Sequence, residues 1–160
     1  MKKILSVLIA LISTICIAFS FGGCGKTVTE LSEDDLDIMR YYQEPTLDMN
    51  FKDNEVGVIL KSAFKDLEEI SFKDIKIVKK VSKISYVDLY TKQIPYSKDG
   101  TIPLNKRETN HMFDIVLEEH SKEKVLKVCE LLNSLDMVLV AEPEYIYDYV
   151  DEYEEEDKNI

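Results

Sequence analysis

The side chains that could carry out chemistry are few and scattered in this 160-residue chain. His111 and His120 lie at the two ends of one predicted strand, so they cannot both bind one metal ion from that strand. The run Glu154-Glu155-Glu156 lacks the glycine-containing loop of a calcium site. The chain also lacks a glycine-rich phosphate loop, a nucleophile elbow and an HExxH sequence. We therefore predict a protein that is not an enzyme and that uses no metal or cofactor.

A cysteine at the end of an apolar N-terminal stretch is the most informative residue. Lys2 and Lys3 precede an uncharged apolar stretch from Ile4 to Phe21, and Gly-Gly-Cys24 follows it. A positive start, a short apolar stretch and small residues before a cut are the parts of a secretory signal. The Gly-Gly-Cys ending resembles the lipobox of bacterial lipoproteins, which implies that residues 1–23 are a signal peptide and that Cys24 carries the lipid. The alternative is an uncleaved membrane anchor, because about 18 apolar residues can just span a bilayer.

Either alternative predicts an exported chain held at the outer face of the cytoplasmic membrane by its N-terminus. Removal of residues 1–23 leaves 18 basic against 31 acidic residues, a net charge of about −13. This excess of acids argues against nucleic-acid binding and against electrostatic attraction to anionic lipid. The lipid alone is expected to attach the protein to the membrane. Cys129 then has no disulfide partner, and we expect it to be a small core residue.

The composition predicts four parts in the chain. After the signal peptide, residues 24–53 are polar and acidic, which predicts a tether outside the core. Ser32 could cap a short helix over residues 33–42 within this tether. A globular domain is predicted over residues 54–150, which is long enough for one core. Residues 151–160 form an acidic tail, for which a solvated end is the simplest interpretation.

The sequence of the first half of the domain predicts one strand clearly and one helix from a weaker pattern. Alternating apolar residues indicate a strand that begins at Glu55. A short amphipathic helix is expected next, because apolar residues recur at every third position, namely Phe64, Leu67 and Ile70. An extended stretch follows over residues 75–89. Residues 91–110 contain two prolines and no apolar periodicity, which predicts a long loop.

The second half has clearer patterns. Residues 112–118 alternate as a strand, with Phe113, Ile115 and Leu117 on one face and Asp114, Val116 and Glu118 on the other. Ser121 is expected to cap a helix whose apolar face contains Val125, Val128, Cys129, Leu132 and Leu135. Residues 137–141 predict a last, apolar strand. The whole order predicts the α+β class with the ferredoxin-like split βαβ plan, an antiparallel sheet with two helices on one face.

The second half also resembles a known family. Residues 113–147, which read FDIVLEEHSKEKVLKVCELLNSLDMVLVAEPEYIY, are similar to the second half of the subtilisin propeptide and protease-inhibitor family. The Ala-Glu-Pro-Glu-Tyr segment over residues 141–145 is the main carrier of this resemblance. The segments EVGVILK and ISFKDI, at residues 55–61 and 70–75, resemble the first half as it occurs in clostridial surface proteins.

The resemblance implies how the domain would contact a protease. The outer face of the sheet would pack on two helices of a subtilisin-like protease, with Glu142 and Glu144 capping the N-termini of those helices. The segment after the last strand would lie in the substrate cleft as an extended chain, and it contains Tyr145, Ile146, Tyr147, Asp148 and Tyr149. No protease follows in the sequence, so the expected activity is that of a separate inhibitor and not of a chaperone in cis.

Two hypotheses of different classes follow. The first is a lipid-anchored module that binds or inhibits a subtilisin-like protease. The second is a cell-surface interaction or structural module that has kept the fold and has no inhibitory activity. On the second hypothesis, Pro143 simply ends the last strand.

Overall fold

The structure, a computed structural model, describes residues 30–147. Its regular elements are helix α1 (Glu33–Met39), strand β1 (Phe51–Leu60), a 3-10 helix (Ser62–Phe64), β2 (Glu69–Ser71), a second 3-10 helix (Lys76–Lys80), β3 (Ile84–Asp88), β4 (Gln93–Pro95), β5 (Thr101–Pro103), β6 (Met112–Leu117), α2 (Lys122–Asn133) and β7 (Val138–Tyr145). None of the helices within residues 30–147 is long and apolar enough to cross a membrane.

A five-stranded antiparallel sheet forms the body of the domain. Its strand order is β4-β3-β6-β1-β7, and each neighbouring pair is antiparallel. Strands β6 and β7 both run antiparallel to β1, which lies between them, so they are parallel to each other. Helix α2 connects these two strands, as parallel strands require a crossover. The predicted α+β class with an antiparallel sheet is therefore confirmed.

Helix α2 covers one face of the sheet, as its sequence pattern predicts. The Ser121 hydroxyl accepts a hydrogen bond from the Lys124 N–H, which caps the first turn. The buried side of the helix contains Val125, Val128, Cys129 and Leu132, all within the hydrophobic core. The facing strands contribute Val56, Val58, Phe113, Ile115 and Ala141 to the same core. The expectation that Cys129 is buried on the face of Val125 and Leu132 is confirmed.

The helix expected between β1 and β3 is not an α-helix, so that prediction is wrong. The connection contains two 3-10 helices and strand β2. A recurrence of apolar residues at every third position also fits a 3-10 helix, which has three residues per turn. Phe64 lies in the first 3-10 helix, whereas Ile70 lies in β2 and pairs with Ile102 of β5.

Residues 91–110 are not a structureless loop, which is a second correction. The segment contains β4, which pairs with β3, and β5, which pairs with β2. Each of these strands has three residues with a single central isoleucine, Ile94 in β4 and Ile102 in β5. Such short strands contain too few apolar residues to produce a readable period.

The predicted tether, where the structure describes it, is held to the domain at several points. Strand β1 begins at Phe51, three residues before the expected domain start, and the Phe51 ring is buried. Helix α1 has the Ser32 cap that the sequence predicts, with Asp35 completing a capping box. We call residues 30–50 the N-terminal arm. The Lys122 ammonium donates to the Met49 carbonyl at 2.8 Å, which holds the end of the arm against α2.

A buried carboxylate fixes the start of the arm. Asp35 is fully buried and accepts hydrogen bonds from the Ser32 N–H at 2.9 Å, the Ser62 N–H at 2.9 Å and the Asn110 amide at 2.6 Å. Burial raises the pKa of Asp35, but these hydrogen bonds outweigh burial and hold the pKa below its ordinary value. The arm is therefore a fixed part of the domain from Ser32 onward.

Strand β7 lies at one edge of the sheet and continues through Pro143 to Tyr145. The alternative that Pro143 ends the strand is therefore wrong. The Asn133 amide side chain bonds both backbone groups of Ala141, accepting from its N–H at 2.7 Å and donating to its carbonyl at 3.0 Å. These groups of Ala141 thus point away from β1. Pro143 lies two residues after Ala141, so its backbone nitrogen also points away from β1. The missing N–H of Pro143 therefore removes no hydrogen bond to β1.

Candidate functional site on the open face of the sheet

The sheet face opposite α2 has a polar centre. Residues of β1, β6 and β7 alternate between the core and this face, and the register pairs Gly57 with both Asp114 and Glu142. We call this surface the open face, and its members are Glu55, Gly57, Ile59, Met112, Asp114, Val116, Val140, Glu142 and Glu144. Asp88 of β3 pairs with Asp114 on the side away from Gly57. One row across four strands therefore reads Asp88, Asp114, Gly57, Glu142.

The glycine at the centre of this row leaves a depression. A side chain at Gly57 would begin 3.4 Å from the Asp114 Oδ1 atom, so the carboxylate lies beside an empty position. The depression has a volume of about 110 Å³, and Tyr90 and the acids Asp114, Glu142 and Glu144 are among its lining residues. Because position 57 has no side chain, a ligand group that enters the depression can contact the carboxylates directly.

Asp114 is the most perturbed carboxyl group of the open face. It is only 4% exposed. Burial raises its pKa most, the charges of Glu144, Glu55 and Asp88 raise it further, and the result is a pKa of about 7. The Lys52 ammonium opposes this shift, but it also forms an ion pair with Glu55 at 2.9 Å. The open face thus contains a carboxyl group that changes its charge near neutral pH.

Tyr90 lies beside Asp114 in a strained backbone conformation. Its φ angle is 64°, in the left-handed region that a residue with a side chain rarely adopts. The Tyr90 N–H donates to the Asp88 carboxylate at 2.8 Å, which holds the turn between β3 and β4. Burial, followed by the charges of Asp114 and Glu144, raises the pKa of the Tyr90 phenol to about 12. The turn therefore keeps an un-ionised aromatic side chain at the rim of the depression, and strain of this kind is common at functional sites.

Glu142 and Glu144, the two acids that the family resemblance singles out, lie on this open face. Both are half-buried, and they are separated by one residue, Pro143, which faces the core. Alternate residues of a strand are about 6.6 Å apart on one face. Burial and the charge of Glu144 raise the pKa of Glu142. The structure therefore brings the two predicted acids together with Asp114, which the sequence did not identify as a site residue.

The segment after the last strand is only partly free. The Tyr145 ring packs edge-on against Phe51 at 6.4 Å between centroids, and its hydroxyl donates to the Met49 sulfur at 3.8 Å. The Ile146 N–H donates to the Asn50 carbonyl at 3.0 Å. Tyr147 is the first residue of the segment that is largely exposed. Asp148, Tyr149 and the expected lipid acceptor Cys24 lie outside the described residues.

The two histidines occupy separate structural positions. The His111 Nε2 atom lies 2.8 Å from the Lys65 carbonyl and the ring is buried, whereas His120 Nδ1 lies 2.8 Å from the exposed Asp53 carboxylate. Within residues 30–147, no group of three or more histidine, cysteine, aspartate or glutamate side chains is arranged to hold a metal ion.

The sequence contains one signal for the position of Asp114. The alternation over residues 112–118 assigned Asp114 to the face opposite Phe113 and Ile115, and that assignment is correct. Its neighbours on that face come from three other strands, so their positions depend on the register of the whole sheet. Gly57 and Tyr90 had no sequence signal that linked them to Asp114.

Comparisons with protein families, curated proteins and solved structures find no match for this chain.

Proposed function

We propose that the chain is a lipoprotein, exported and held at the outer face of the cytoplasmic membrane by a lipid on Cys24, whose open face binds another protein. The sequence resemblance favours a subtilisin-like protease as that partner. The observation that carries the proposal is that Glu142 and Glu144 share one sheet face with Asp114 and with the depression at Gly57. Two acids spaced along one strand can each meet the N-terminus of a partner helix.

The arrangement of the strands gives this proposal further support. We infer a ferredoxin-like topology, because β1 lies between β6 and β7, which α2 connects in the manner of a split βαβ unit. The other half of the plan departs from it by using 3-10 helices in place of an α-helix. In this arrangement α2 packs on the core side of the sheet, and the acids of the other side stay available to a partner.

The charge of the open face restricts the partner. Five acids surround the depression or lie at its rim, namely Glu55, Asp88, Asp114, Glu142 and Glu144, and Lys52 is the cation that acts on Asp114. A partner must therefore bring positive charge, either helix N-termini or basic side chains, to compensate for desolvation of these carboxylates. An acidic or purely apolar surface would leave them buried without a partner.

A charge-removal experiment tests the docking proposal. Glu142→Gln together with Glu144→Gln should weaken binding to a subtilisin-like protease of the producing organism by tenfold or more, because each helix-terminus contact is worth about 0.3 to 2 kcal/mol. The melting temperature should not fall, because removal of these two charges relieves the repulsion among the carboxylates of the open face. The matched control is Asp66→Asn with Glu68→Gln, which removes two charges from the exposed turn before β2.

The outcomes separate the two functional hypotheses. Equal loss of binding in both double variants would show that only net charge matters and would contradict the helix-capping roles. Absence of binding to any such protease at micromolar concentration would favour the alternative of a non-inhibitory surface module. Inhibition is tested by truncation after Ile146, which keeps Tyr145 against Phe51 and the Ile146 bond to Asn50 and removes the segment from the exposed Tyr147 onward. A truncated chain that still inhibits would contradict a cleft-binding role for residues 147–149.

The anchoring part of the proposal has its own test. Cys24→Ala should abolish incorporation of a labelled fatty acid and leave an unprocessed precursor. Stable retention requires more than one acyl chain, because a single chain binds a bilayer only marginally. Equal labelling of the wild-type chain and the variant would contradict lipidation at Cys24.

A further inference from the structure

The N-terminal arm combines a fixed position with an unusual number of exposed apolar side chains. Asp35 and its three hydrogen-bond donors attach the start of the arm to the domain, and Lys122 holds its end. Five large apolar side chains of the arm are between 37% and 86% exposed, namely Leu31, Leu36, Met39, Tyr41 and Leu47. They lie within 17 consecutive residues, numbers 31–47. A concentration of exposed apolar side chains in one short segment is typical of a contact surface.

Other exposed large apolar residues in the described part of the chain belong to a different region. Tyr90 and Met112 line the depression of the open face, and Ile146 and Tyr147 follow β7. The arm surface is thus separate in sequence from the proposed protein-binding site.

The length of the chain before the arm identifies what covers it. Six peptide units separate Cys24 from Glu30, and they reach at most about 20 Å even when fully extended. A lipid on Cys24 lies in the bilayer, so the arm begins within about 20 Å of the membrane surface whatever the conformation of the intervening residues. The predicted tether of 30 residues would have allowed several times that distance.

We propose that the apolar side chains of the arm rest in the interfacial layer of the membrane and fix the orientation of the domain relative to the bilayer. This inference rests on the proposed lipidation of Cys24. The acids Glu33, Asp34 and Asp37 on α1 keep the helix at the level of the headgroups, since carboxylates do not enter the hydrocarbon layer. The lipid attaches the protein to the membrane, and the contact of the arm with the bilayer restricts rotation of the domain about that attachment.

A matched pair of tryptophan variants tests this orientation, because the chain contains no tryptophan. Tyr41→Trp places the probe on the arm, and Tyr147→Trp places it at the end of β7, with native exposures of 86% and 72%. Each mature, acylated variant, which begins at Cys24, is reconstituted into phosphatidylcholine vesicles with or without brominated acyl chains. We expect bromine to quench the Tyr41→Trp emission roughly twofold, with a shift to shorter wavelength, and to leave the Tyr147→Trp emission unchanged.

A second arm variant checks that the result does not depend on position 41 alone. Leu36→Trp should behave as Tyr41→Trp does, because both side chains belong to the arm surface. Equal quenching at positions 41 and 147, or no quenching at positions 36 and 41, would overturn the proposal while leaving lipidation intact. Mass spectrometry of the same preparations reports the acyl group on Cys24. An unacylated chain would overturn the lipid anchor and, with it, the membrane contact of the arm.

Discussion

Replacement of Asp114 by asparagine should stabilise the protein at high pH and have a much smaller effect at low pH. The pKa of Asp114 is about 7 in the folded chain, against 3.8 as its ordinary value. The folded state therefore binds a proton that the unfolded state has released, and wild-type stability falls as the pH rises from about 4 to about 7. Above pH 7 the folded chain carries a buried, repelled carboxylate. Asparagine has nearly the shape of the protonated acid and removes that charge.

The magnitude follows from the size of the shift. A shift of about 3 units corresponds to about 4 kcal/mol, at 1.36 kcal/mol per unit. Part of this difference is already present at pH 5, where an unfolded aspartate is largely ionised. The advantage of Asp114→Asn over the wild type should therefore grow by about 2 to 3 kcal/mol between pH 5 and pH 8.

Urea unfolding at several pH values between 5 and 8 measures this difference. The control is Asp66→Asn, an exposed acid in the turn before β2, whose stability curve should run parallel to that of the wild type. Parallel curves for Asp114→Asn and the wild type would refute the conclusion that Asp114 titrates near neutral pH. A variant that is less stable than the wild type at pH 8 would show that the carboxylate makes a favourable contact that asparagine cannot replace.

Two further predictions concern the core and the arm. Leu132→Ala should lower the free energy of unfolding by about 2 to 5 kcal/mol in urea denaturation, because Leu132 is fully buried. Cys129 should resist thiol reagents until the chain unfolds, since burial and the charge of Glu142 raise its pKa to about 12. Rapid labelling of Cys129 in the folded protein would show that the buried face of α2 is wrongly assigned. Asp35→Ala should cost about 1 to 3 kcal/mol at pH 7, because the Ser62 N–H and one N–H of the Asn110 amide lose their acceptor while the amide keeps its bond to the Leu60 carbonyl. This loss should shrink as the pH falls through the lowered pKa of Asp35. An arm that stays equally resistant to proteolysis in the variant would contradict the anchoring role.

The parts of the fold that the sequence predicted are those with a repeated local pattern. Helix α2 shows a helical period over 12 residues, and β6 alternates over six, so each has enough positions to define a face. Strands β2, β4 and β5 have three residues each and depend on partners far along the chain. Local patterns hold no information about such partners.

Only part of the candidate site could be predicted, again because only part of it depends on a local pattern. Glu142 and Glu144 were identified from a contiguous motif, and the alternation of β7 is enough to assign them to one face. The environment of Asp114 depends on Gly57, Asp88 and Glu144, which only the sheet register brings together. The attachment of the arm could not be predicted either, because Asp35 accepts hydrogen bonds from Ser62 and Asn110, which are 27 and 75 positions away in the sequence.

The amide of Asn133 has a consequence for behaviour at a surface. Proteins held at a membrane move in two dimensions, where neighbouring copies meet side by side far more often than they do in bulk solution. A free strand edge in that setting would recruit the next copy and extend the sheet laterally into a polymer. Asn133 occupies both outward hydrogen-bonding groups of Ala141, and Pro143 offers no donor two residues later, so the middle of the β7 edge is blocked against pairing. On the proposed lipid anchor, this edge would be a poor template for a neighbouring copy.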